Sequence, residues 1–142
     1  MPTSVLEGDI KKAVWDLLLK TNETCKNQDY EGTLQLFLKV WELLPGEKYG
    51  YAESWLALNG ILNFAIKTGD FDKLKIWIDK IDYVVPGGYD AGERECMKGK
   101  VAYELGDYDA AREYLSYANK KSRGRCFGDK DKKYIEFLIE KK

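Results

Sequence analysis

Histidine is missing from all 142 residues. Its absence removes the commonest general base, the Ser-His and Cys-His nucleophile arrangements, and the usual nitrogen ligand of zinc. Cysteine is scarce. Cys25, Cys96 and Cys126 are an odd number with no CxxC pair, so neither a disulfide framework nor a metal cage is indicated, and a reducing cytoplasm suits the chain best. Neither sign of charge is in excess: 23 Lys plus Arg stand against 24 Asp plus Glu, a net charge of -1. That balance lacks the basic surplus that phosphate binding favours, so no nucleic-acid partner is expected. No apolar run approaches a membrane span, and residues 1–9 (MPTSVLEGD) have neither the basic start nor the apolar core of an export signal. A soluble chain with no membrane partner, no metal and no cofactor is expected.

What the sequence does contain is apolar and aromatic. It is 44% hydrophobic, with four Trp, ten Tyr and five Phe, ample material for one core and one domain over residues 1–142. Charge is uneven along it, because Arg123, Arg125, Lys130, Lys132, Lys133, Lys141 and Lys142 crowd the C-terminal part.

Turn signals recur. NQDYEGTLQLFLKVWELLP begins at Asn27, TGDFDKLKIWIDKIDYVVP at Thr68 and LGDYDAAREYLSYANKKSR at Leu105. Each copy has an Asp followed by an aromatic (Asp29-Tyr30, Asp70-Phe71, Asp107-Tyr108), and Gly69 and Gly106 supply a left-handed residue that ends the preceding helix. The aromatic is expected to plug the hairpin. Pro45 and Pro86 each follow the aromatic by 15 residues and place the ends of the second helices near Leu44 and Val85. The aromatics lie 41 and then 37 residues apart, with the extra length in PGEKYGY and PGGYD.

Helical spacing supports three hairpins. Ile10, Val14, Leu17, Leu18 and Thr21 face Leu34, Phe37, Leu38, Trp41 and Leu44. Leu58, Ile61, Leu62, Ala65 and Ile66 face Leu74, Trp77, Ile78 and Ile81, and Val101, Ala102 and Leu105 face Ala111, Tyr114, Leu115 and Ala118. Residues Asp131 to Glu140 form a seventh helix, with Tyr134, Ile135, Leu138 and Ile139 on one face, suited to covering the last apolar surface of a stack of hairpins. The fold class is therefore all-α.

The third copy, GKVAYELGDYDAAREYLSYA, resembles the tetratricopeptide repeat family through Gly99, the turn Gly106-Asp107-Tyr108, and the packing alanines Ala111 and Ala118. Glu95, Leu115 and Arg123 depart from the family pattern, and Thr33 and Leu74 stand where Ala111 does. The resemblance implies three tetratricopeptide-like hairpins in a right-handed solenoid, closed by a C-terminal capping helix. The three degenerate repeats together with the tail SRGRCFGDKDKKYIEFL also resemble the helical-repeat immunity proteins encoded beside bacterial polymorphic and contact-dependent growth inhibition toxins. That likeness implies stoichiometric neutralisation of one cognate toxin domain, as a monomer in a one-to-one complex. The alternative is an adaptor binding a short peptide in the concave groove. Leu18, Gly60 and Met97 occupy places where the carboxylate clamp of some family members needs polar groups, which weakens a chaperone-tail reading.

No catalytic constellation stands out. Glu93 with Glu95, and Asp129 with Asp131, sit where carboxylates are ordinarily solvated or face a helix dipole. Gly87-Gly88, Gly124 and Gly128 read as turns, since no GxxxxGK[ST] pattern is present. Cys126 is either a thiol activated by Arg123, Arg125 and Lys130 or a structural thiol beside Phe127. Partner contacts are expected on the outward side of the first helices: Trp15, Asn22 and Lys26; Asn59, Asn63 and Lys67; Glu93, Cys96, Lys100, Tyr103 and Glu104. Asn59 and Asn63 are poor helix formers one turn apart in an apolar helix, a cost that binding would explain. Tyr49, Tyr51 and Tyr89 in the long connections, and Arg123 and Arg125 in a basic loop, complete the candidates.

Overall fold

The computed structural model describes residues 4–85 and 91–140. Pro86, Gly87, Gly88 and Tyr89, on which a turn and a candidate contact were placed, lie outside the described residues. The described chain is all-helical, with no strand beyond an isolated parallel bridge between Ser4 and Tyr51. The helices are α1 (Gly8–Lys26), α2 (Tyr30–Leu43), α3 (Ala52–Thr68), α4 (Phe71–Trp77), α5 (Glu93–Glu104), α6 (Tyr108–Ser122) and α7 (Lys132–Ile139). A 3-10 helix, Ile78–Tyr83, continues α4, and a second, Asp129–Asp131, precedes α7. The chain divides into two compact units, Met1–Gly88 and Tyr89–Lys142.

Three turns are built alike. Asp29, Asp70 and Asp107 are N-caps of α2, α4 and α6, with φ/ψ of -85/73, -86/79 and -87/77. Their side chains accept hydrogen bonds from the backbone N–H of Gly32, Lys73 and Ala110, satisfying donors that a helix start leaves unpaired. Their own N–H groups reach back to the carbonyls of Thr24, Ala65 and Ala102, each at 2.9 Å, closing the preceding helix. The residue before each Asp is left-handed: Gln28 (φ 62), Gly69 (φ 71) and Gly106 (φ 85).

This geometry corrects the role expected of the aromatics. Phe71 is 46% and Tyr108 49% exposed, so neither plugs its hairpin; Tyr30 is half-buried. The repeated signal belongs to the Asp, whose carboxylate caps the helix, and the aromatic merely occupies its first position.

In the first unit, α1 packs on α2, α2 on α3, and α3 on α4. Val14, Leu34, Val40, Leu58, Ile61, Leu62 and Leu74 are fully buried. Lys48 closes α2: its Nζ donates to the carbonyls of Glu42 (3.0 Å) and Leu44 (2.7 Å). The last helix of this unit does not run as an α-helix to Val85. It tightens at Ile78, and Val84 is already extended. The three-residue period of a 3-10 helix keeps Ile78, Ile81 and Val84 on one side, and Ile81 and Val84 are buried.

In the second unit, α5 pairs with α6, and α7 packs on α6. Gly99 permits the close approach, since a Cβ there would stand 2.5 Å from Leu115 Cγ. Cys96, Ala111, Leu115, Ala118, Tyr134 and Phe137 form the core. The buried face of α7 matches the expected one only in part, since Tyr134 is buried and Leu138 packs against the core. Tyr134 and Phe137 point inward, while Ile135 is exposed and Ile139 is 72% exposed. Phe137 is drawn in by Arg112, whose guanidinium lies 4.3 Å from the ring centroid and donates to the Phe137 carbonyl at 3.1 Å.

Candidate functional site

A groove of about 320 Å³ opens in the first unit between α1 and α3. Trp15, Leu18, Leu19, Thr21 and Asn22 come from α1, Leu56, Asn59, Gly60, Asn63 and Phe64 from α3, and Phe37 from α2. Gly60 makes the groove possible, because a Cβ there would stand 2.6 Å from three carbons of the Phe37 ring. Phe37 stacks on Phe64 at 5.9 Å, Phe64 tilts against Tyr30 at 6.0 Å, and the Lys67 ammonium lies 5.0 Å from the Tyr30 ring centroid. Trp15 is held by a hydrogen bond from its Nε1 to Glu53 Oε2 at 2.9 Å, and Glu53 sits buried in the first turn of α3, where the helix dipole favours an acid.

None of the side chains lining this groove is ionisable. The Thr21 hydroxyl donates to the Leu18 carbonyl at 2.5 Å. Proton transfer therefore has no donor or acceptor of suitable pKa in the lining. Two carboxamides, Asn59 and Asn63, offer two N–H donors and a carbonyl acceptor each, set among aromatic and aliphatic surface. The lining thus combines apolar contact area with neutral hydrogen-bonding groups.

The structure thus brings Asn59 and Asn63 together with Trp15 and Asn22, and sets Lys67 beside Tyr30. Sequence reasoning passed over Leu19, Leu56 and Phe64. Leu19 and Leu56 are exposed apolar residues, and Leu56 lies one turn from Asn59 on the same helix face.

The remaining candidates lie elsewhere. Tyr49 packs edge-on against Trp41 at 5.8 Å and tilts on Tyr83 at 5.3 Å, and Trp41 meets Trp77 at 5.5 Å, so this aromatic set ties the α2–α3 connection to the end of the unit. Tyr51 is half-buried at the N-cap of α3, where its N–H donates to Ser54 Oγ at 3.2 Å.

Lys100 is enclosed rather than on the surface, and Tyr103 is half-buried. Lys100 is 9% exposed, and its Nζ pairs with Asp131 Oδ2 at 3.0 Å. Asp131 also accepts the Gly128 N–H at 2.8 Å, so this carboxylate is committed to closing the turn into α7. Tyr103 is half-buried against Tyr108, Tyr134 and Phe137, with ring centroids 5.1 to 5.5 Å away. The physical reason is α7, which covers this side of α5. Arg123 is exposed in a left-handed C-cap (φ 56), and Arg125 Nε donates to the Ser122 carbonyl at 3.2 Å, so the basic loop finishes α6.

Two thiols meet in the second unit. Cys96 Sγ donates to the Cys126 carbonyl at 3.6 Å, and the Cys126 N–H donates to Ser122 Oγ at 3.0 Å. The proximity of the two thiols, aided by Ser122 and by the charge of Lys100, lowers the Cys126 pKa, whereas the neighbouring Cys126 and then burial push Cys96 far up. Among the described residues no group of three or more acidic or Cys side chains is placed to hold a metal, and no helix is long and apolar enough to cross a membrane.

No protein-family model, curated protein or solved structure matches the chain. The groove is therefore read from its own side chains.

Proposed function

We propose that this chain is a binding protein of the immunity type, which neutralises one cognate toxin domain by stoichiometric association and without turnover. The observation that carries the binding reading is the groove between α1 and α3, where Asn59 and Asn63 stand among Trp15, Leu56 and Phe64 with no ionisable side chain in the lining. The like construction of the turns at Asp29, Asp70 and Asp107 supports assigning the three hairpins to one tetratricopeptide-like repeat series. The likeness of the repeats and tail to helical-repeat immunity proteins supplies the toxin as the partner. A groove of about 320 Å³ holds only a few side chains, which favours a local anchor within a larger protein interface over a long peptide.

The test is co-expression with the C-terminal domain of the protein encoded immediately upstream. Growth should be restored, and the two purified chains should elute together at equal stoichiometry. The Asn59→Ala/Asn63→Ala double variant should bind at least about tenfold more weakly, the effect of losing a net 1.4 kcal/mol or more of hydrogen bonding. An upstream gene without a toxin domain, together with no association between the purified chains, removes the immunity reading. Micromolar capture of short apolar peptides, abolished by the same double variant, replaces it with the adaptor.

A further inference from the structure

We infer that Cys96 and Cys126 are a redox pair, which hydrogen peroxide or a similar hydroperoxide converts to an intramolecular disulfide joining α5 to the turn ahead of α7. The two residues are 30 apart in sequence, yet Cys96 Sγ lies 3.6 Å from the Cys126 backbone carbonyl oxygen, which brings the two side chains into the same corner of the second unit. Cys96 is buried in the core of the second unit, whereas Cys126 is half-buried at its margin, so an oxidant in solution meets Cys126 first. Lys100 follows Cys96 by one helical turn, and its ammonium, held by Asp131 at 3.0 Å, lies near enough to favour a thiolate on Cys126. The Ser122 hydroxyl oxygen accepts the Cys126 backbone N–H at 3.0 Å and fixes the turn that carries this thiol. Neither the groove nor the N-cap turns use these thiols.

The chemistry balances with the hydroperoxide as oxidant. The Cys126 thiolate attacks one peroxide oxygen; an S–O bond forms, the O–O bond breaks, and the departing hydroxide takes up a proton as water. Cys96 sulfur then attacks Cys126 sulfur. An S–S bond forms, the S–O bond breaks, and the second hydroxide leaves as water with the proton that Cys96 loses. Two thiols give up two electrons and one peroxide accepts them. Cys25 lies on α1 in the other unit and takes no part.

Exposure of the reduced, full-length chain to hydrogen peroxide under native conditions, followed by alkylation in denaturant and tryptic mass spectrometry, tests this. The expected product has lost two hydrogens, carries one alkylated cysteine at Cys25, and contains Glu95–Lys98 joined to Cys126–Lys130. Cys126 should be oxidised at least tenfold faster than Cys25. In Cys96→Ser, dimedone should trap a sulfenic acid on Cys126, and in Cys126→Ser no intramolecular disulfide should form. Equal oxidation rates at Cys25 and Cys126, a bridge that includes Cys25 or a second chain, or a Cys96–Cys126 bridge that appears only in urea would overturn the inference. The wild-type chain alone decides among these outcomes, so poor folding of either variant does not blunt the test.

Discussion

Trp15 Nε1 and Glu53 Oε2 lie 2.9 Å apart although 38 residues separate them in sequence, and this bond pins one wall of the groove to the first turn of α3. Glu53 is buried, so deleting its acceptor leaves the indole N–H without its partner. Glu53→Ala should destabilise the chain by about 1–2 kcal/mol in urea denaturation and weaken partner binding, whereas Glu53→Gln retains an acceptor and should lose about half as much. Equal stability of all three proteins would show that the bond does not hold the wall.

Gly60 faces the Phe37 ring so closely that a methyl group must displace it. Gly60→Ala gains about 1 kcal/mol of helix propensity but overpacks the α2–α3 contact by about 1–3 kcal/mol. The expected outcome is a net loss of stability and a shallower groove, read by denaturation and by partner affinity.

Gln28 occupies a position taken by glycine in the two other turns, with φ 62 against 71 and 85. A residue with a Cβ is disfavoured there by about 1 kcal/mol. Gln28→Gly should therefore stabilise the chain by about 0.5–1 kcal/mol, while Gly69→Ala and Gly106→Ala should each cost about 1 kcal/mol. Thermal unfolding of the three variants compares the turns directly, and a Gln28→Gly protein less stable than wild type would break their equivalence.

The Tyr134 hydroxyl is buried and donates to Glu104 Oε2 at 2.7 Å, while Lys133 Nζ holds the same oxygen at 2.5 Å. Burial first, then the Glu104 carboxylate, raises the Tyr134 pKa above its ordinary value. The folded state thus favours the protonated phenol. Its contribution is complete below the unfolded tyrosine pKa of about 10 and is lost as pH rises above that toward the folded value. Stability measured by urea from pH 9 upward should fall, and Tyr134→Phe should flatten the fall while costing about 1 kcal/mol at neutral pH. An unchanged alkaline slope in Tyr134→Phe would assign the effect to other tyrosines.

Much of the local structure is legible in the residues themselves. An Asp followed by an aromatic marks each of three N-caps, Gly69 and Gly106 mark left-handed closures, and apolar spacing marks much of the buried faces of α1, α2, α3 and α6, although Ile10 and Tyr114 in those stripes are exposed. These signals act within about one helical turn, where a cap, a steric limit on φ or a side-chain period operates without knowledge of the rest of the chain. Asn59 and Asn63 stand out for the same reason, as poor helix formers in an apolar helix.

What needed the tertiary structure is every property set by a distant neighbour. Phe137 rather than Ile135 or Ile139 turns inward because Arg112 stands 25 residues away to receive it. Lys100, read as a surface cation, is enclosed because Asp131 and Tyr134 come from a helix that follows it by some 30 residues. The groove exists only where Gly60 lets α3 approach Phe37 and Trp15 reaches Glu53, and the thiol pair only where α5 meets the turn ahead of α7. The sequence by itself determined the Asp-marked turns ahead of α2, α4 and α6 and the left-handed closures at Gly69 and Gly106. Packing decided which of their residues are available to a partner, because burial depends on what the rest of the chain brings against each face.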